Sequence, residues 1–229
     1  MCGRYTYADP ARVAEAMLRD LGVVIRSELP RYNVAPGQNV PIIRADESGK
    51  PVAEEMRWGL VPFWDASEKP RIAPINARSE EAFGKPMFRQ AIQCRRAVFP
   101  CDGFFEWQAS DSGSKNPFLI QLQGGEPFII AGIYESATSL RPTPTCALFT
   151  TVPNELMAPI HRRMPVILDP PSALRWLRPG PVTPEEFEGL CRPYPATRMS
   201  AHRISTLVNN VRNDSPEVLL PQSEGSALS

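Results

Sequence analysis

The sequence predicts a mixed α+β fold built on a curved, largely antiparallel sheet or barrel. Short apolar segments bounded by turn residues recur along the 229-residue chain. They do not alternate regularly with long helices, which disfavours a doubly wound parallel sheet. Proline, at 26 residues, is about twice as frequent as usual. Many prolines stand inside apolar segments: Val40-Pro41-Ile42-Ile43, Leu60-Val61-Pro62-Phe63 and Met164-Pro165-Val166-Ile167. A residue without an amide proton fits edge strands and tight loops, so these segments are expected there.

The first element is a helix. Asp9 is placed to cap it, Pro10 takes its first position, and Val13, Ala14, Met17, Leu18 and Leu21 repeat at helical spacing up to Gly22. Strands are expected at 52–58, 97–99, 118–122, 128–133, 146–151 and 166–168. A shorter helix starts near Pro86 and carries Phe88, Ala91 and Ile92. Turns are expected at Ser110–Ser114 and Gln123–Pro127. Ser172 is placed to cap a helix over 173–177, and Thr183-Pro184-Glu185-Glu186 is a capping-box pattern opening another. No repeat or composition shift divides the chain, so residues 1–221 are expected as one domain and 222–229 as a flexible polar tail.

Charge and composition narrow the function. The 25 basic and 25 acidic side chains cancel, which argues against coating nucleic acid by bulk attraction but leaves room for a local basic groove. No apolar run reaches the roughly 20 residues of a membrane helix. Five cysteines, with no Cys-x-x-Cys pair, and only two histidines give a zinc site little support. Reduced thiols in a cytoplasmic protein are the simplest reading, with no cofactor and no metal expected.

Four segments carry candidate chemistry. Removal of Met1 would leave Cys2 first, with an α-amine of pKa about 7.7–8.0 beside a thiol of about 8.5. Such a pair can condense with an aldehyde, the amine giving a Schiff base and the thiol closing a thiazolidine. The thiol can instead attack an acyl carbon alone, or Cys2 can simply begin a strand. In Pro74-Ile75-Asn76-Ala77-Arg78-Ser79, Asn76 and Arg78 project to one face of an extended segment, though Ser79 equally fits the start of a short helix. Glu106, within the aromatic run Phe104-Phe105-Glu106-Trp107, suits general acid–base work if buried; a solvent-facing strand position is the alternative. Trp107 can stack on a base or belong to the core. In Ile160-His161-Arg162-Arg163-Met164, His161 is a proton-transfer candidate or a surface loop residue, and Arg163 and Arg4 are candidate phosphate contacts. His202 reads as structural.

Together these segments resemble the SRAP (SOS response-associated peptidase) family of abasic-site processing proteins, bacterial type. The matching stretches, in family order, are Cys2–Tyr5, Arg31–Gly37, Arg57–Pro62, Ile75–Glu80, Asp102–Trp107, Ala131–Glu135, His161–Pro165 and Val208–Asn210. Cys101 stands where the family usually has alanine, and Phe105 where it usually has tyrosine. The resemblance implies a β-barrel-like core with peripheral helices and a basic groove for single-stranded DNA containing abasic sites. It implies that Cys2 is the nucleophile joined to the abasic sugar, Asn76 orients its amine, and Glu106 and His161 move protons. Arg4, Arg78 and Arg163 are then phosphate contacts, Trp107 stacks beside the lesion, and Pro41 and Trp64, expected in apolar loops, wedge against flanking duplex. A monomer, associated with the nucleoid, is expected. The rival readings are an N-terminal-cysteine amidohydrolase of the glutamine amidotransferase kind and a noncatalytic reader of single-stranded or modified DNA.

Overall fold

The computed structural model describes residues 2–26, 29–65, 67, 70–110, 113–139 and 141–222. In chain order its main elements are β1 (Tyr5–Tyr7), α1 (Pro10–Leu21), β2 (Arg31–Val34), β3 (Asn39–Ala45), β4 (Pro51–Trp58), β5 (Asn76–Arg78), α2 (Ser79–Ala82) and α3 (Pro86–Cys94). There follow β6 (Arg96–Cys101), β7 (Gly103–Ala109), β8 (Lys115–Leu122), β9 (Phe128–Glu135), β10 (Thr145–Thr151), β11 (Met164–Pro165) and β12 (Ile167–Leu168). The chain continues through α4 (Pro170–Leu177), α5 (Pro184–Leu190) and β13 (Met199–Arg203).

Five strands close into a ring. β10 pairs with both β4 and β9, β4 with β3, β3 with β6, and β6 with β9. All of these ladders are antiparallel except β4–β10, and β5 adds a second parallel pairing to β10. Every residue of β6 and β10 is buried, because side chains fill the ring on one face and helices cover the other. Tyr5, Trp58 and Phe99 form an aromatic chain in this core, with ring centroids 5.4 and 6.4 Å apart. The fold is therefore the expected α+β class with a partly ring-like sheet.

A second sheet, in the order β13-β8-β7-β1-β2, is wholly antiparallel. The sheets join where β6 ends at Cys101 and β7 begins at Gly103. A Cβ at Gly103 would lie 2.8 Å from Thr6 Cγ2 and 2.9 Å from Leu119 Cδ1, so the close approach of β1, β7 and β8 requires glycine there. The candidate functional groups gather near this seam.

The helix signals hold with one correction. Asp9 accepts a bond from the Arg12 amide and Gly22 ends α1 at φ 68°, as the sequence indicates. α4, however, begins at Pro170 and is capped by Asp169, which accepts from the Ser172 amide; Ser172 lies inside the helix rather than capping it. Pro41 also departs from expectation. It is buried in β3, a strand paired on both sides, and not in a loop. Its placement is tolerated because the ladder to β6 covers Ile43 and Arg44 only, so one edge of Pro41 faces no strand partner. Asp111, Ser112 and residues 223–229 of the expected turn and tail lie outside the described residues. No helix among the described residues is long and apolar enough to cross a membrane.

Candidate active site

Cys2 is fully buried, three residues before β1, which pairs with β2 and β7 in the second sheet. Its carbonyl accepts a 2.8 Å bond from Asn76 Nδ2. β5 carries Asn76 to this point because its parallel ladder sets Asn76 beside Leu148 of the closed ring. Asn76 Oδ1 is buried and has no hydrogen-bond partner among the described residues. Such an unfilled acceptor is costly unless a donor arrives. Burial, and then the Glu106 carboxylate, push the Cys2 thiol far above its ordinary pKa, so it is held as a neutral S–H.

Glu106 enters from β7 and is only 2% exposed. Desolvation lifts its carboxyl to about 7, the range in which a carboxyl group exchanges protons near neutral pH. The β1–β7 ladder sets Tyr5 against Phe104; continued two residues further, that register places Gly3 opposite Glu106. His161, in the loop before β11, lies with Nδ1 3.6 Å from Glu106 Oε1. Burial lowers the imidazole pKa. The same Nδ1 is 3.1 Å from both the amide nitrogen and the carbonyl oxygen of Arg163. When neutral it can accept from that amide, and when protonated it can donate to that carbonyl. The ring thus gains or loses a proton without stranding Nδ1.

Glu106, Trp107, Lys115, His161 and Asn209 line a cavity of about 330 Å³. Glu106 and Trp107, although consecutive on β7, both line it. A larger cleft of about 640 Å³, between Pro36, Arg57, Ile75 and Arg141, contains no carboxylate, thiol or imidazole. Size therefore does not locate the chemistry; the grouping of titratable side chains does. Among the described residues no group of three or more His, Cys, Asp or Glu is arranged to hold a metal ion.

The arginines are placed less uniformly than their sequence motifs suggest. Arg4 Nη1 donates to Asn33 Oδ1 at 2.7 Å and to the Val208 carbonyl at 2.8 Å, and its guanidinium lies 5.6 Å from the Trp107 ring centre. Arg163 is 9% exposed and forms a two-pronged pair with Glu80, at 2.9 and 2.8 Å, plus a 2.6 Å bond to the Thr150 carbonyl. Arg78 is exposed and pairs with Glu81 at 3.2 Å. Trp64 is half exposed and packs edge-on against Phe63, with centroids 4.9 Å apart. Pro41, by contrast, is buried among strand residues. His202 sits in β13 opposite Leu119.

Three residues of this site escaped the sequence reading. Asn33 is completely buried; its Oδ1 takes Arg4, and its Nδ2 donates to the carbonyls of Val208, Asn210 and Asn213 at 3.2, 3.1 and 2.8 Å. Asn209 Oδ1 accepts from the Trp107 indole at 2.7 Å. Lys115 reaches the cavity from the first position of β8. Asn33 and Asn209 lie within Arg31–Gly37 and Val208–Asn210, so the motifs flagged their neighbourhood. An asparagine that acts only through partners distant in the chain carries no chemical signature of its own.

The profile of the family described as SOS response associated peptidase (SRAP) matches residues 1–211. The chain is 39% identical over 222 residues to the abasic site processing protein YoqW of Bacillus subtilis, covering 96% of this chain and 99% of that one. It is 31% identical to YedK of Escherichia coli, also an abasic site processing protein, over 96% of this chain and 100% of the relative. A solved structure of a protein from Bacteroides thetaiotaomicron superposes with a TM-score of 0.74 at 29% identity, over 84% of this chain and 86% of the other.

Proposed function

Because the chain belongs to the SOS response associated peptidase family, and its relatives are named as abasic site processing proteins, we propose that it processes abasic sites by covalent capture at Cys2. One observation carries this reading: a cysteine at the second position, held by Asn76, stands beside a carboxyl group whose pKa is about 7. Removal of Met1 would turn the Cys2 nitrogen from an amide into a primary amine. Asn76 Oδ1, which has no donor among the described residues, would accept from that amine and orient it.

An abasic deoxyribose exchanges between a cyclic hemiacetal and an open aldehyde. His161 donates a proton to the ring oxygen as the sugar opens and regains one from the anomeric hydroxyl that becomes the aldehyde. The Cys2 amine adds to the aldehyde carbon, and Glu106 accepts the amine proton and returns it as water leaves, giving an imine. The Cys2 S–H then adds across the imine: sulfur bonds to carbon, its proton passes to nitrogen, and a thiazolidine closes with no break in the strand. One water is lost overall. The two nucleophiles belong to one residue, so closure has a large proximity advantage. The neutral thiol is suited to this order, with the amine attacking first. It is poorly suited to the thiolate-led attack of a glutamine amidotransferase, which a glutaminase assay would detect.

Single-stranded DNA containing an abasic site is the substrate this reading requires, bound by phosphate contacts and stacking rather than by base readout. An unpaired strand avoids the unpairing cost, and an intact nucleotide offers no aldehyde. A cytoplasmic monomer that needs no cofactor completes the proposal. Intact-mass spectrometry before and after incubation with an abasic oligonucleotide tests it. The expected product is Met1-less protein plus oligonucleotide minus one water. Binding without any mass shift would leave the noncatalytic reader instead.

A further inference from the structure

The cavity beside Glu106 and His161 must hold a sugar that is joined on both sides to phosphodiesters, so some group near it has to receive negative charge. The arginines brought near this seam are largely engaged. Arg163 is paired through both terminal nitrogens to Glu80, and Arg4 uses Nη1 for two internal acceptors. Arg78 is paired with Glu81. Lys115 differs. It is exposed, it lines the cavity itself, and its ammonium has no hydrogen-bond or ion-pair partner among the described residues.

Its placement follows from register. In the β7–β8 ladder Trp107 lies opposite Pro117 and Ala109 opposite Lys115. Side chains two apart on a strand share a face, so Lys115 projects on the face that carries Trp107. Trp107 is itself fixed from two directions, by the Asn209 carbonyl at its indole nitrogen and by Arg4 over its ring. A cation beside a fixed aromatic plane at the mouth of a cavity is an arrangement that receives a nucleic-acid backbone next to a stacked base.

The geometry points to Lys115 as the phosphate-binding residue of this cavity, taking the phosphodiester that adjoins the abasic sugar. This rests on the covalent-capture reading for the identity of the ligand, but its test does not depend on that reading. The probe is a single-stranded oligonucleotide carrying a tetrahydrofuran abasic analogue, which has no aldehyde and cannot crosslink. Its affinity is measured against salt for wild type, Lys115→Gln and Lys115→Arg. Loss of one phosphate contact should weaken binding several-fold near 0.1 M salt and reduce the log–log salt slope by about 0.7. Lys115→Arg should restore both. In parallel, crosslinking of a true abasic oligonucleotide at sub-saturating concentration should slow in Lys115→Gln by the same several-fold factor as the affinity falls, and recover in Lys115→Arg. An unchanged slope in Lys115→Gln overturns the assignment. So does a lost crosslink with an unchanged slope, which would move the lysine amine into the chemistry. If wild type itself forms no crosslink, covalent capture fails, while the salt slopes still decide the role of Lys115.

Discussion

The surroundings of Cys2 and the segment from Val208 to Asp214 differ in how their polar groups are satisfied. Around Cys2, Asn76 Oδ1 is buried without a hydrogen-bond partner among the described residues, Glu106 is lifted to about 7, and the Cys2 thiol is kept protonated by its surroundings. In the segment from Val208 to Asp214 the opposite holds. Asn33 uses its oxygen and its amide on four partners, and the Asp214 carboxylate accepts from the amides of Tyr32 and Asn33. The difference separates two tasks. A reacting group needs capacity left over for its substrate, whereas a holding group is most effective when nothing is left over.

Four predictions test that separation, from the largest effect to the smallest. Cys2→Ala should abolish the heat-stable adduct while leaving binding to the tetrahydrofuran oligonucleotide intact, since its amine can still form only an open imine. A normal yield of heat-stable product on a denaturing gel would sink the assignment. Asn33→Ala should destabilise the protein by about 3 kcal/mol, because three carbonyls and Arg4 lose a buried partner together. Denaturant unfolding reads this, and a loss below about 1 kcal/mol would break the contrast.

Glu106→Gln comes next, with crosslinking slowed about 10- to 100-fold and affinity for single strands unchanged. The wild-type rate should rise with pH through about 7 as the carboxyl ionises, and this rise should vanish in the variant. Stability should respond with the opposite sign. A carboxyl whose folded pKa is raised binds more protons in the folded state, so wild type loses stability as pH climbs from its unfolded value of about 4.3 to about 7. The glutamine variant should therefore melt higher than wild type at pH 8 and alike near pH 4. A pure binding defect would contradict the proton-transfer role.

The smallest effects distinguish the two wedge candidates. Trp64→Ala should weaken binding to a single-strand–duplex junction by about 1 kcal/mol, the low end for loss of an aromatic stacking surface. Pro41→Ala should leave that affinity unchanged, because Pro41 is buried in β3. A larger binding loss at Pro41 than at Trp64 in a fluorescence-anisotropy titration would reverse this ranking.

What was legible in the sequence was local or chemically conspicuous. Asp9, Pro10 and Gly22 delimit α1 because each acts within a turn or two of its own position. Cys2, Glu106 and His161 could be singled out because their side chains carry reactivity anywhere in a chain. The closed ring was not legible in the same way: β10 has to meet both β4 and β9, and nothing local specifies that. Pro41 misled because a missing amide proton excludes only a paired edge, and the β6 ladder stops short of it. Arg163 was readable as a cation, but its engagement with Glu80, 83 positions away, was not. Ser172 looked like a cap because the competing Asp169 sits just before two prolines that belong inside the helix.

The contacts from Asn33 and Arg4 to residues 208–214 also have a temporal meaning. A ribosome must add residues 208–213 before either side chain finds these partners. A product terminated before residue 208 would carry Cys2 on a scaffold in which Trp107 lacks its bond to Asn209 and Arg4 its bond to the Val208 carbonyl. The wall around Trp107 is therefore completed late in synthesis, by a residue 102 positions downstream.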